Sequence, residues 1–182
     1  ASDFSILYHV VGKGTQLLSQ YEKGQSLRVL GPLGNGVTRP SLRAERSNLT
    51  GQVASASTTP RNDEIALVGG GVGIPPLLHL AETLVKQKAP LKKSIHVFLG
   101  ARNRSLLLCE KDFKKLGVDL VLSTDDGSKG KKGLVTGPFG DFLKKSDPAK
   151  TLVYTCGPTP MLKAVSALAN QRRVSCEVSV EV

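Results

Sequence analysis

From Ile65 onward, short apolar runs alternate with segments whose apolar residues recur every three or four positions. Ile65–Val68, Ser94–Leu99, Asp119–Ser123 and Thr151–Tyr154 are brief and rich in Val, Ile and Leu, as strands buried on both faces require. Between them, Pro75–Lys88 carries Leu78, Leu80, Ala81, Leu84 and Val85 at helical spacing. Thr159–Asn170 repeats the pattern through Met161, Leu162, Val165, Leu168 and Ala169. Ser105–Leu116 and Pro138–Lys145 predict shorter helices, and Val174–Val180 alternates as a last strand. Strands separated by helices predict an α/β fold, a doubly wound parallel sheet.

The first third is patterned differently. Phe4–Val11 and Ser26–Leu30 read as strands, separated by Gly12-Lys13-Gly14-Thr15 and a helical turn or two within Gln16–Tyr21. Two or three strands do not close a barrel on their own, so residues 1–36 are expected to be the end of an antiparallel β-barrel. Residues 37–62 are rich in Ser, Thr, Arg and Asn, with Pro40 and Pro60 near their ends, and read as a linker or insertion. Residues 63–182 form the α/β domain.

In a doubly wound sheet, ligands bind beyond the carboxyl ends of the strands, which directs attention to four loops. Val68-Gly69-Gly70-Gly71-Val72-Gly73-Ile74-Pro75-Pro76 joins a strand to a helix. Its glycines admit a phosphate close to the backbone, and the helix start offers N–H groups and a positive dipole end. It is neither GxGxxG nor a P-loop, and a tight packing turn is the plainer alternative. Gly100-Ala101-Arg102-Asn103-Arg104 has no carboxylate to read a free ribose 2′-OH. Its two arginines suit a 2′-phosphate, adenine stacking or simply a solvated turn. Ser123-Thr124-Asp125-Asp126-Gly127-Ser128-Lys129-Gly130 pairs two aspartates, for acid–base or metal work, the latter weakly supported without a third ligand, or for a side-chain-capped turn. Tyr154-Thr155-Cys156-Gly157-Pro158-Thr159-Pro160-Met161 ends a strand on a cysteine, with Thr159 as expected N-cap and Pro160 at the first helical position. That thiol either faces the ligand crevice or is a buried, inert one.

Composition narrows the field. The 182 residues carry 25 Lys and Arg against 15 Asp and Glu, a net charge of +10. Aromatic residues are only 4 % with no Trp, which disfavours a nucleic-acid stacking platform and leaves a solvated surface or an anionic partner. No apolar run reaches the ~18 residues of a membrane span. Three widely spaced cysteines, Cys109, Cys156 and Cys176, suit neither a disulfide framework nor a metal site within the chain, and point to a reducing, cytoplasmic setting.

In this order the four loops, together with Tyr8–Thr15, Gly31–Gly36, Gly133–Thr136, Met161–Lys163 and Cys176–Glu181, resemble the ferredoxin–NADP reductase superfamily. Within it they are most similar to the electron-transfer subunits of bacterial dihydroorotate dehydrogenases. The resemblance implies a flavin barrel followed by a nicotinamide-nucleotide domain, with electrons passing from NADH through FAD and a [2Fe–2S] cluster to a partner flavoprotein in pyrimidine biosynthesis. It implies that Gly12, Gly14 and Thr15 face the FAD pyrophosphate. It implies as well that Gly69, Gly70, Gly71, Val72, Gly73, Ile74 and Pro75 form the NAD loop, with Arg102, Asp126 and Gly127 along the crevice. Cys156, the candidate catalytic residue, stands with Gly157, Pro158 and Met161 at the nicotinamide end. NAD is expected over NADP, which Arg102 and Arg104 keep open. The family's Arg-x-x-Ser/Thr flavin motif and its four-cysteine loop are not found, so weak or no FAD binding and no cluster ligands are expected of these residues. An alternative is a non-catalytic NAD(P)-binding module, or a reductase subunit serving a hydrogenase or sulfite reductase.

Overall fold

The computed structural model describes Tyr8 and residues 10–27, 64–86 and 95–179. The chain divides into two compact units, Ala1–Ser47 and Asn48–Val182. In the first unit the described residues form one short helix, α1 (Lys13–Leu18). The strands expected over Phe4–Val11 and Ser26–Leu30 lie largely outside the described residues. Tyr8, Val10, Val11, Ser26 and Leu27, which are described, carry no strand.

The second unit is the sheet the pattern predicts. Its elements are β1 (Glu64–Gly70), α2 (Ile74–Lys86), β2 (Ile95–Ala101), α3 (Glu110–Leu116) and β3 (Asp119–Thr124). They continue through β4 (Lys131–Lys132), α4 (Thr136–Lys145), β5 (Thr151–Cys156), α5 (Thr159–Gln171) and β6 (Ser175–Ser179). The strand order is β4-β3-β2-β1-β5-β6, and every neighbouring pair is parallel. The chain winds outward from β1 through β2 and β3 to β4, then returns past β1 to lay down β5 and β6. The order therefore reverses between β1 and β5, and in sheets of this kind ligands bind there, beyond the carboxyl ends.

Side chains alternate across each strand, so the sheet buries a core on each face. Ile65, Leu67, Val97, Leu99 and Leu152 meet Ile74, Leu77, Ala81 and Leu84 of α2 and Phe113 of α3. Ala66, Val68, Phe98 and Val153 meet Val135, Phe139 and Leu143 at α4 and Val165 and Ala169 of α5.

Three elements depart from expectation. The helix expected over Ser105–Leu116 is broken into a single 3-10 turn (Arg104–Leu106) and α3. Leu107 is extended and Cys109 takes a left-handed conformation (φ 56°), so the helix cannot run through them. Thr159 is not the N-cap of α5. Pro158 holds that place with extended backbone (ψ 140°), and Thr159 is already helical. The two-residue β4 was not expected at all. The strands also continue past their apolar runs into the loops, β1 to Gly70 and β5 to Cys156.

Candidate functional site

The loops after β1 and β5 meet across the point where strand order reverses, and they meet backbone to backbone. The register sets Gly69 beside Cys156. A Cβ on Gly73 would overlap the backbone carbonyl of Cys156, so only glycine lets the two loops close. A Cβ on Gly157 would lie 2.8 Å from the Gly70 carbonyl oxygen and 2.7 Å from Met161 Cε, and one on Gly70 would lie 2.8 Å from Met161 Sδ. Gly71 is of another kind. Its φ of +55° needs glycine for conformation, while its missing Cβ faces open space. Loop β1–α2 therefore has a packed underside and an open upper side, the shape an anion cradle requires. Thr155 ties the strands beneath it, its buried hydroxyl donating to the Val68 carbonyl at 3.0 Å.

The donors of this cradle are not those expected. Pro75 and Pro76 have no N–H, and the Ile74 N–H donates to the Gly71 carbonyl. The helix start thus adds its dipole but no free N–H from its first three residues.

The loops after β2 and β3 are held by hydrogen bonds instead of close packing. Asp125 N–H donates to the Ala101 carbonyl at 3.1 Å and Asp126 N–H to the Arg102 carbonyl at 3.2 Å. Arg104 N–H donates to Ser128 Oγ at 2.8 Å, and Ser128 donates through both hydroxyl (2.6 Å) and N–H (2.9 Å) to the Asp126 carboxylate. These bonds from Ser128 hold the exposed Asp126 carboxyl below its ordinary range. The turn-capping alternative for the aspartates is thus realised at Asp126, while Gly127 closes the turn at φ +79° with its N–H donating to the Thr124 carbonyl. Arg102 and Arg104 are both exposed on this rim. Lys129 and Lys114 both reach Glu110, at 3.3 and 2.7 Å, and pin the start of α3 to the β3–β4 loop.

Ser128 joins the two outer loops, although no role was expected of it. The spacing Asp-x-Ser, with a side-chain acceptor two residues before a donor, is the signal that marks it. Val135 is another: a Cβ on Gly100 would come within 2.8 Å of Val135 Cβ, so α4 begins directly on the end of β2.

In the first unit, the Thr15 hydroxyl accepts from the N–H groups of Val11 (3.0 Å) and Gly12 (3.2 Å) and donates to the Gly12 carbonyl (3.1 Å). It closes the turn on itself, while the missing Cβ positions of Gly12 and Gly14 face open space.

The cysteines occupy distinct surroundings. Cys156 is 2 % exposed and belongs to the apolar cluster with Ile74 and Leu77. Burial pushes the Cys109 thiol up, assisted by the Asp112 charge. Burial also raises that of Cys176, partly offset by a hydrogen bond with Ser166. Among the described residues no group of three or more His, Cys, Asp or Glu is placed to hold a metal ion. Nor is any described helix long and apolar enough to cross a membrane.

Comparison with known proteins bears on this geometry. The chain is 36% identical over 179 residues to the dihydroorotate dehydrogenase B (NAD(+)) electron transfer subunit of Desulforamulus reducens. It is 38% identical over 177 residues to that of Caldanaerobacter subterraneus subsp. tengcongensis. Each match covers 97% of this chain and 58% of the relative, so the chain spans less than two thirds of their length. Among solved structures, an NADH-dependent reduced ferredoxin–NADP oxidoreductase superposes with a TM-score of 0.68 at 31% identity, covering 96% of this chain and 54% of the other. The cytochrome b5 reductase domain of Ulva prolifera nitrate reductase superposes with a TM-score of 0.66 at 20% identity, covering 92% of this chain and 64% of the other, a likeness of fold alone. The oxidoreductase NAD-binding domain model matches residues 67–167, from within β1 to within α5, and so takes in all four loops. With the interlocked glycine loops at the centre of that match, the chain belongs to the oxidoreductase NAD-binding domain family.

Proposed function

We propose that this chain binds NAD(H) in the crevice between β1 and β5 and serves as the nucleotide-binding part of an electron-transfer subunit, working with a catalytic flavoprotein of the dihydroorotate dehydrogenase type. The observation that carries the reading is the single arrangement formed by Gly70, Gly71 and Gly73 with Cys156, Gly157 and Met161, closed below and open above. The turn Gly71-Val72-Gly73 holds the pyrophosphate, with the α2 dipole behind it. Cys156, Gly157 and Pro158 border the nicotinamide, and Asp126 and Gly127 with Arg102 border the adenosine end. When bound, the reduced nicotinamide supplies a hydride and a flavin takes it up, passing the electrons on singly. The residues' own task is to fix where the ring lies and to keep water out beneath it.

In this reading residues 63–182 are the nucleotide domain, 37–62 a connection and 1–36 the end of the flavin barrel. The open Cβ positions of Gly12 and Gly14 suit an approaching FAD phosphate, whereas the Thr15 hydroxyl is already engaged by Val11 and Gly12. FAD is accordingly held weakly by these residues. The two exposed arginines after β2, in a loop segment whose own residues 100–104 include no carboxylate, favour a second reading in which NADPH is accepted too.

Thermal melting of the 182-residue chain with titrated NADH and NADPH tests the proposal. A rise in Tm that saturates with NADH is expected, because a ligand bound only by the folded state stabilises it by mass action. No rise with either nucleotide at millimolar concentration overturns it.

A further inference from the structure

Met161 is the one methionine in the chain, and it sits where the two glycine loops meet. Its Sδ would be 2.8 Å from a methyl on Gly70 and its Cε 2.7 Å from a methyl on Gly157, so one thioether covers both glycines. It projects from the first turn of α5, packs against the apolar cluster on that face of the sheet and is only partly buried. An unbranched thioether fills such a gap because it is flexible, polarisable and apolar. A sulfoxide is none of these: it is polar, chiral and larger at the sulfur. On the Gly70 side there is no room for an added oxygen, and a tail turned outward withdraws the thioether from both glycines.

We propose that Met161 is a redox-sensitive positioning residue: its thioether sets the separation of loops 69–73 and 156–158, and its oxidation to the sulfoxide unseats the dinucleotide. This rests on the crevice being the NAD(H) site. The oxidant is a hydroperoxide. With hydrogen peroxide, the O–O bond breaks, an S–O bond forms, sulfur gives up two electrons and the second oxygen leaves as water. Methionine sulfoxide reductases reverse the step.

The experiment uses the full 182-residue chain, treated with hydrogen peroxide and then a thiol reductant, with one added oxygen at Met161 confirmed by peptide mass. Hydrogen exchange of loops 69–73 and 156–158 reads the spacer without any nucleotide, and NADH titration reads the seat. Oxidation is expected to speed exchange in both loops and to raise the NADH Kd by about tenfold or more. Treatment with both sulfoxide reductases restores the two readouts. M161L, which keeps all three cysteines, is expected to give the same exchange and Kd before and after peroxide, whatever its starting affinity. Unchanged exchange at full oxidation overturns the proposal, and so does an equal response from M161L. If the untreated protein binds no NADH, the crevice reading falls, and exchange alone still decides whether Met161 is the spacer.

Discussion

The two inner loops, after β1 and β5, and the two outer loops, after β2 and β3, share one rim of the sheet and are built on opposite principles. The inner pair is held by contact. Gly73 lies against the Cys156 carbonyl and Gly70 against Gly157, with the Met161 thioether and the Pro158 ring packed beside them. The outer pair is held by hydrogen bonds that run from Arg104 through Ser128 to Asp126, all exposed to water. Contact of this kind tolerates no added atom, because a packed site answers extra volume with strain. A solvated network tolerates change, because water replaces a lost partner at small cost. In the proposed reading, the inner loops set where the reactive end of a dinucleotide lies, and the outer loops set which nucleotide is preferred.

The sharpest way to break this contrast is G73A. Its methyl has to displace the Cys156 backbone, so we expect a loss of about 2–3 kcal/mol, seen as a Tm fall of roughly 4–12 °C, together with loss of NADH binding. A G73A protein that melts and binds like the parent would show that the loops are not interlocked. G71A is the control within the same loop. Nothing stands near its missing Cβ, and the cost is confined to holding a non-glycine residue at φ +55°, about 1–2 kcal/mol. Equal damage from the two substitutions would mean that backbone conformation, not contact, governs the inner loops.

On the outer rim, R102E places a carboxylate where the strand end now carries two arginines. NADPH affinity is expected to fall by about tenfold or more, the scale of one charge-assisted contact, while NADH affinity changes less and Tm hardly moves. Parallel titrations with the two nucleotides measure this directly. An equal loss for both would place Arg102 on the shared pyrophosphate instead of the 2′ position.

How far these features could be read in the chain follows the same division. The strands and helices were legible because Ile65–Val68 and Thr159–Asn170 carry their burial in their own spacing, and the glycine-rich stretch announced its loop. The interlock was not legible: Gly73 and Cys156 are far apart in the chain, and nothing local to either says that they touch. β4 escaped notice because Lys131 and Lys132 carry no apolar pattern. They are set as a strand by the turn before them, where Gly130 at φ +67° passes tight against the Leu122 carbonyl, and Gly133 N–H returns to the Thr124 carbonyl at 2.9 Å. The helix expected over Ser105–Leu116 is not continuous because Leu107, Leu108 and Cys109 extend an apolar pattern that the left-handed backbone at Cys109 interrupts. The cap at Pro158 and the amide-poor start of α2 share one cause. Prolines near a helix start mark its neighbourhood well but remove the N–H groups that a search for anion sites counts on.

The smallest expected effect is also the cleanest test of the outer network. Two bonds from Ser128 favour the charged form of Asp126, so the carboxyl titrates below the ordinary aspartate range. A carboxyl whose folded pKa is depressed contributes its stabilisation above the unfolded value and loses it as pH falls through the folded one. The link from Asp126 through Ser128 to Arg104 should therefore be intact at neutral and mildly acidic pH and open only below the usual aspartate range. An NMR titration of the Asp126 carboxyl carbon, with the Arg104 amide as second reporter, should show both moving together at that low pH. In S128A the Asp126 titration should return toward the ordinary value and the Arg104 amide should no longer follow it, with Tm unchanged because all three groups lie in water. An Asp126 pKa unmoved by S128A would mean that the carboxylate is held by its own turn and that the two outer loops are not joined through the serine.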